Sequence, residues 1–333
     1  MIPSAPGAGP AGEPLPAAVR TALSEPTAAR VADLWRELGL DDATLHDEDA
    51  QRGLRDALAD RAGEEWRRAC ARVRRLLDTP PHVALVRAAG PPSPPVLAAL
   101  SVCLGRLEDP YRRSWSRVMQ EIVVDPGSDD ALAWHVDSPG WPRTNDLTCL
   151  LCVTPAAAGG RTEILPWTAI ARELRSAAEL RAELAARKIP WVLDEALGSR
   201  VVHQPVIGPE GLRFMRGSLE RAAAAHPRDA PWITSLCRRF AEVAERARPY
   251  LSHRLEEGEI LVFDNHRCLH RRGPVHTAEG AGEGAGESAD RLLIRTRIGR
   301  PAWRRSVAAP FADDSGGRRH RSDAAYSPEG RKE

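Results

Sequence analysis

The sequence predicts a mainly β fold with flanking helices, a double-stranded β-helix of the jelly-roll or cupin kind. Three observations carry this. Short alternating strands separated by tight turns recur from Val118 to Ile298. Helical apolar spacing precedes them at about 16–78 and interrupts them at about 167–253. A His-x-Asp pair, His135 and Asp137, closes one strand, and a further histidine, His270, lies on another.

The 333 residues are 42% hydrophobic, enough for one large core. Lys plus Arg (47) nearly balances Asp plus Glu (46), so no bulk charge draws the chain to nucleic acid or to an anionic membrane. No apolar run approaches the ~20 residues that span a bilayer, and the N-terminus lacks a basic-then-apolar signal layout. Six cysteines in a chain of this size are no disulfide framework, which makes a cytoplasmic setting the expectation. Cys149 and Cys152 form a lone CxxC within Asp146–Val153. That run reads as a buried strand, on which i and i+3 face opposite ways, so a zinc or redox role is not expected.

Residues 1–15 are rich in Pro, Gly and Ala and are expected to be disordered, and 303–333 is expected to form a mobile tail around a single domain at 16–302. Within that domain, helices are expected from Ala17 to Leu40 and from Asp47 to Leu77 as an outer layer. Pro80 and Pro81 stop the second, a strand follows at His82–Arg87, and a helix at Val96–Leu107. Strands are then expected at Val118–Asp125, at Leu132–Asp137, at Asp146–Val153 and, after the Gly159-Gly160 turn, at Arg161–Leu165. Residues 167–188 and 231–253 read as helices, with candidate strands at 191–193, 201–206 and 212–215 between them. Glu259–Phe263 and Cys268–Arg272 flank an Asp264-Asn265 turn, 277–289 is a low-complexity loop, and Arg291–Ile298 is the final alternating strand.

Two imidazoles and one carboxylate are the set that holds non-haem Fe(II) on one face of an octahedron, leaving three positions open. On a strand, His135 and Asp137 share a face, so one strand supplies two ligands and His270 the third. A 2-oxo acid can fill two open positions and dioxygen the last. Its far carboxylate then needs a cation and a hydroxyl. Arg suits this better than Lys, because its planar fork matches a carboxylate with two hydrogen bonds. Arg291 and Arg295, four apart on one strand face, are the candidate cations, and Thr162 is the candidate hydroxyl. His203, His253, His266 and His276 read as surface or supporting groups, Trp134 as packing, Asn265 as the holder of its turn, and Arg213 and Arg216 as solvated or substrate-facing.

Trp134-His135-Val136-Asp137, Gly159-Gly160-Arg161-Thr162, Gly258-Glu259 leading to Asp264-Asn265 and His270, and Asp290-Arg291 running to Arg295 stand in one order. With these four elements the chain, over about residues 80–300, resembles the taurine dioxygenase-like Fe(II)/2-oxoglutarate oxygenases. It looks most like the branch with clavaminate synthase, asparagine oxygenase and arginine hydroxylases. The resemblance implies iron on His135, Asp137 and His270, 2-oxoglutarate as co-substrate on Thr162 and Arg291, and a small-molecule substrate near Arg295 and Gln120. It implies hydroxylation of an amino-acid-derived or natural-product substrate; desaturation, epoxidation or ring closure on the same fold, or a non-catalytic metal-binding sensor, are the alternatives. Asp137 leaves no ligand position for chloride, which argues against a halogenase. Two features depart from the branch: Asp137 stands where Glu is usual, and Met215 where an Asp meets an amino-acid substrate.

Overall fold

The computed structural model describes residues 19–109, 117–124, 131–192, 201–276 and 291–300. The expected disordered N-terminal segment, the 277–289 loop and the C-terminal tail lie outside these residues. In chain order, β1 (Arg20–Leu23) leads into α1 (Glu25–Glu37), α2 (Glu48–Arg61) and α3 (Gly63–Asp78). Then come β2 (Val83–Ala88), α4 (Pro94–Leu104), β3 (Arg106–Leu107), β4 (Gln120–Val124), β5 (Leu132–His135) and β6 (Leu147–Thr154). β7 (Ala158–Gly159) and β8 (Thr162–Pro166) precede α5 (Trp167–Leu174) and α6 (Ala178–Ala186). β9 (Ile189–Val192), β10 (Val201–Gln204), β11 (Ile207–Gly208) and β12 (Gly211–Leu212) lead to α7 (Arg216–Ala225) and α8 (Ala230–Arg246). β13 (Leu251–His253), β14 (Glu259–Asp264), β15 (Cys268–Arg272), β16 (Val275–His276) and β17 (Arg291–Gly299) complete the series.

Two sheets hold the site. A seven-stranded sheet runs β1-β2-β14-β6-β17-β3, with β4 also paired to β17; a four-stranded sheet runs β13-β8-β15-β5. All pairings in both are antiparallel except β1 with β2. Strand alternation sorts the side chains into three layers. From the large sheet, Leu85, Leu150, Cys152, Leu261, Phe263 and Leu293 join Ile164, Leu251 and Cys268 of the small one in a shared cluster. The opposite face of the large sheet, with Val86, Cys149, Leu151, Ile260 and Val262, packs under α1–α4. The opposite face of the small sheet, with Trp134, Leu165 and Leu269, packs under α5–α8. Each large apolar side chain so covered contributes roughly 1.5–3 kcal/mol. Cys149 and Cys152 fall into different clusters, as strand geometry expects.

Several boundaries differ from the sequence reading. The first expected helix begins as a strand, because Arg20–Leu23 pairs in parallel with Leu85–Ala88; Pro26 at the first helical turn marks the true start of α1. The second splits at Gly63, whose φ of 89° leaves the helical region, into α2 and α3. The 167–188 helix is likewise two, and 231–253 ends at Arg246 before β13. The Val96–Leu107 helix begins earlier, at Pro94, where the Ser93 hydroxyl accepts from the Val96 N–H at 3.4 Å, and ends at Leu104. Helix α7 was not anticipated. No helix among the described residues is long and apolar enough to cross a membrane.

Candidate active site

Strands β5 and β15 set two imidazoles side by side. His135 and His270 are direct register partners, with ring centroids 3.9 Å apart. Neighbours along both strands, Trp134 and Leu269, face the helices, so the alternation turns the two histidines inward. Nδ1 of His135 donates to the Ala133 carbonyl at 2.8 Å, which fixes the neutral tautomer and leaves Nε2 with its lone pair. His270 Nδ1 is buried and has no hydrogen-bond partner among the described residues.

Asp137 lies beyond the end of β5, not within the expected strand Leu132–Asp137. The ladder stops at His135, although the Val136 N–H still donates to Phe214 at 2.8 Å. Even so, one potential ligand atom from each of His135, Asp137 and His270 lies within 4.8 Å of the others, and all three residues are buried. Burial lowers the pKa of His135 and drives that of His270 well below the ordinary imidazole value. Burial alone would raise Asp137, but Arg295 and then Arg297 outweigh it and hold the carboxyl well below the usual range. Two neutral imidazoles and one anion are the donor set that non-haem iron requires, and the orphaned buried nitrogen of His270 fits a site built for a cation.

The other site residues come from β17 and its neighbours. Arg291 is buried, and its Nη2 donates to the Thr162 hydroxyl at 3.3 Å. Among the described residues no carboxylate pairs with it; burial, then the nearby Arg272 guanidinium, push its pKa down to about 10. A desolvated guanidinium with a hydroxyl beside it and no carboxylate partner among the described residues is suited to an anion. The Gly159-Gly160 turn packs closely beside Arg291 and against Ala156 and Pro274. The φ values of the two glycines are 67° and 59°, and a Cβ on Gly159 would sit 2.3 Å from the Pro274 oxygen. A Cβ on Gly160 would lie 2.8 Å from that of Ala156 and 3.4 Å from Cδ of Arg291.

Arg295 donates to Asp137 Oδ1 and to Gln120 Oε1, each at 2.7 Å, so the structure brings Arg295, Gln120 and the Asp137 carboxylate together. Arg297, which sequence reading missed, donates to the same Gln120 oxygen at 3.1 Å. Its signal was available: it lies two residues beyond Arg295 and so on the same strand face. Asn265 does more than hold its turn, for its side chain bonds both backbone groups of Asp137. Arg213 is not solvated. It is buried and donates to the carbonyls of Pro139, Trp141 and Pro142, tying down the segment after Asp137. Arg216 is exposed and pairs with Glu220. Met215 forms a β-bridge with His135. His203 and His276 are exposed, His266 lies against Asp146 at 3.2 Å, and His253 against Glu259 at 2.7 Å.

Residues 71–296 match the family described as taurine catabolism dioxygenase TauD, TfdA family. The chain belongs to this family. It is 26% identical over 193 residues to FR-33289 synthase of Streptomyces rubellomurinus (strain ATCC 31215). That match spans 55% of each chain, so the chain covers about half the length of this curated relative. Among solved structures, asparagine oxygenase superposes with a TM-score of 0.60 at 18% identity, over 85% of this chain and 93% of that one. The non-heme iron oxygenase OrfP, as a D157A mutant with (3S)-hydroxy-L-Arg, gives 0.58 at 18% identity, over 86% and 95%. At these identities the structural likeness concerns the fold.

Proposed function

We propose that this chain is an Fe(II)- and 2-oxoglutarate-dependent dioxygenase, built on a double-stranded β-helix, that hydroxylates a small amino-acid-derived or natural-product substrate. The observation that carries the reading is the meeting of His135, Asp137 and His270 within 4.8 Å, buried between two sheets. Family membership supports it, as do the relatives: an asparagine oxygenase, and an OrfP crystallised with Fe and α-ketoglutaric acid.

His135, Asp137 and His270 would hold the iron, and their low pKa values keep all three in metal-binding form at neutral pH. Arg291 and Thr162 would take the distal carboxylate of 2-oxoglutarate. Arg295 and Gln120 form the wall that faces the substrate. Bound together, iron and 2-oxoglutarate supply the oxidative decarboxylation that turns dioxygen against a C–H bond. The chain's own part is placement and dryness: the Leu150, Phe263 and Leu293 cluster beside the site excludes water.

Anaerobic addition of Fe(II) and 2-oxoglutarate should give a weak visible charge-transfer band that His135→Ala and Asp137→Ala abolish. On aeration, succinate should appear. A wild-type protein with neither the band nor succinate would refute the reading. Mass-spectrometric screening for a one-oxygen gain coupled to succinate would identify the substrate.

A further inference from the structure

Asp137 has no ladder to hold it, since β5 ends two residues earlier. A buried network takes the ladder's place. Asn265, fully buried between β14 and β15, accepts from the Asp137 N–H at 2.8 Å and donates to the Asp137 carbonyl at 3.1 Å. These two bonds settle which way the amide points, because a backbone N–H can only donate and a carbonyl only accept. The same Asn265 nitrogen also donates to the Asn145 carbonyl at 3.1 Å.

Asn145 extends the network toward the carboxylate. Its Nδ2 donates to the Leu147 carbonyl at 2.8 Å and to the Thr148 hydroxyl at 3.0 Å. The Leu147 carbonyl accepts only, so the amide group must face it. With one lone pair of Thr148 Oγ1 taken up, its proton is free to point elsewhere, and it goes to Asp137 Oδ2 at 2.9 Å. Thr148 is on the inward face of β6, and Asn145, Thr148 and Asn265 are 0–3% exposed. Three buried polar side chains are costly unless satisfied. Here three of their hydrogen bonds converge on one aspartate: its N–H, its C=O and one carboxylate oxygen.

We propose that Asn145, Thr148 and Asn265 are positioning residues that fix the Asp137 carboxylate in a metal-ready orientation, so that metal affinity depends on them. This rests on the reading of His135, Asp137 and His270 as metal ligands. Carboxylate ligands left free to turn bind more weakly, and groups that orient them are typically worth about 10–100-fold in affinity.

The test is anaerobic titration with Co(II), read by its visible absorption, on the full chain. Thr148→Val keeps the shape and removes the donor. It should bind Co(II) on the order of 10-fold more weakly or worse, with an altered spectrum, and Thr148→Ser should restore both. Asn145→Ala, which frees the hydroxyl to turn, should also weaken binding and serves if Thr148→Val does not fold. Wild-type affinity and spectrum in a folded Thr148→Val or Asn145→Ala variant would overturn the inference. His135→Ala separates the two levels: if it binds like wild type, the metal-site reading itself falls. If His135→Ala loses binding while the network variants keep it, only the positioning role falls.

Discussion

Arg295 donates from Nη1 to Oδ1 of Asp137 at 2.7 Å, with both side chains largely withdrawn from water. The aspartate therefore has a cation partner before any metal arrives. Breaking a buried pair from one side leaves an uncompensated charge, at a cost of about 3 kcal/mol or more. A bound divalent ion would make good that loss. Arg295→Gln is therefore expected to lower the melting temperature of the metal-free protein more than that of the metal-loaded one. The stabilisation gained on adding Fe(II) or Co(II) anaerobically should exceed that of wild type. Equal losses in the two states would show that the pair and the metal do not share the carboxylate.

Arg291 meets a hydroxyl and no carboxylate among the described residues. If it clamps 2-oxoglutarate, Arg291→Ala should raise the co-substrate dissociation constant on the order of 100-fold. Arg291→Lys should recover part of this, since an ammonium keeps the charge without the fork. Thr162→Val should cost less, about 5-fold, as the loss of one neutral donor. Iron binding measured without 2-oxoglutarate should be nearly unchanged in all three. A co-substrate affinity unmoved by Arg291→Ala would place the clamp elsewhere.

Glu259 gives the fold an acid sensitivity. Burial would raise its pKa, but His253 at 2.7 Å and the Glu256 N–H at 2.9 Å on the same oxygen bring it below the ordinary value. A carboxylate with a depressed folded pKa stabilises above its unfolded value of 4.5, and that stability is lost as pH falls through the folded one. Glu259→Gln should therefore cost roughly 1–2 kcal/mol at pH 7 and flatten the loss of stability below about pH 4.5. Parallel acid limbs in variant and wild type, followed by circular dichroism, would contradict this.

Cys149 and Cys152 are both pushed up to about 12 by burial, and they face opposite sides of β6. Neither should react with iodoacetamide at pH 8 in the native protein, and both should react after denaturation. Adding zinc to the native protein should leave this labelling pattern unchanged, since the fold holds the two thiols apart. Native labelling at either position, mapped by mass spectrometry, would mean that β6 opens far more readily than its central place in the sheet implies.

The site was more legible in the sequence than the boundaries of the fold. His135, Asp137 and His270 declare themselves by chemistry and spacing, which survive a two-residue error in a strand end. Asp137 shows this: the strand stops before it, yet the cluster forms. The strand Arg20–Leu23 was not legible, because its reason is Leu85–Ala88, more than sixty residues away. Gly63 interrupts a continuous apolar stripe that by itself reads as one helix. Arg213 looked like a surface charge, and only the folded path of 139–142 supplies the three carbonyls that bury it. Asn145 and Thr148 carry no local signal at all. Their meaning arises where β6 passes under Asp137.

On β17, Arg291, Leu293, Arg295 and Arg297 look toward the interior while Ile294, Thr296 and Ile298 look toward α1–α4. Parity along this strand is thus a functional property. Removing one residue between Arg291 and Arg297 would exchange the two sets downstream, sending guanidiniums under the helices and turning aliphatic groups toward Asp137. Removing two would only slide the cations one notch along the same wall. The spacing of the inward residues along this strand therefore constrains its length as tightly as their identity constrains its chemistry.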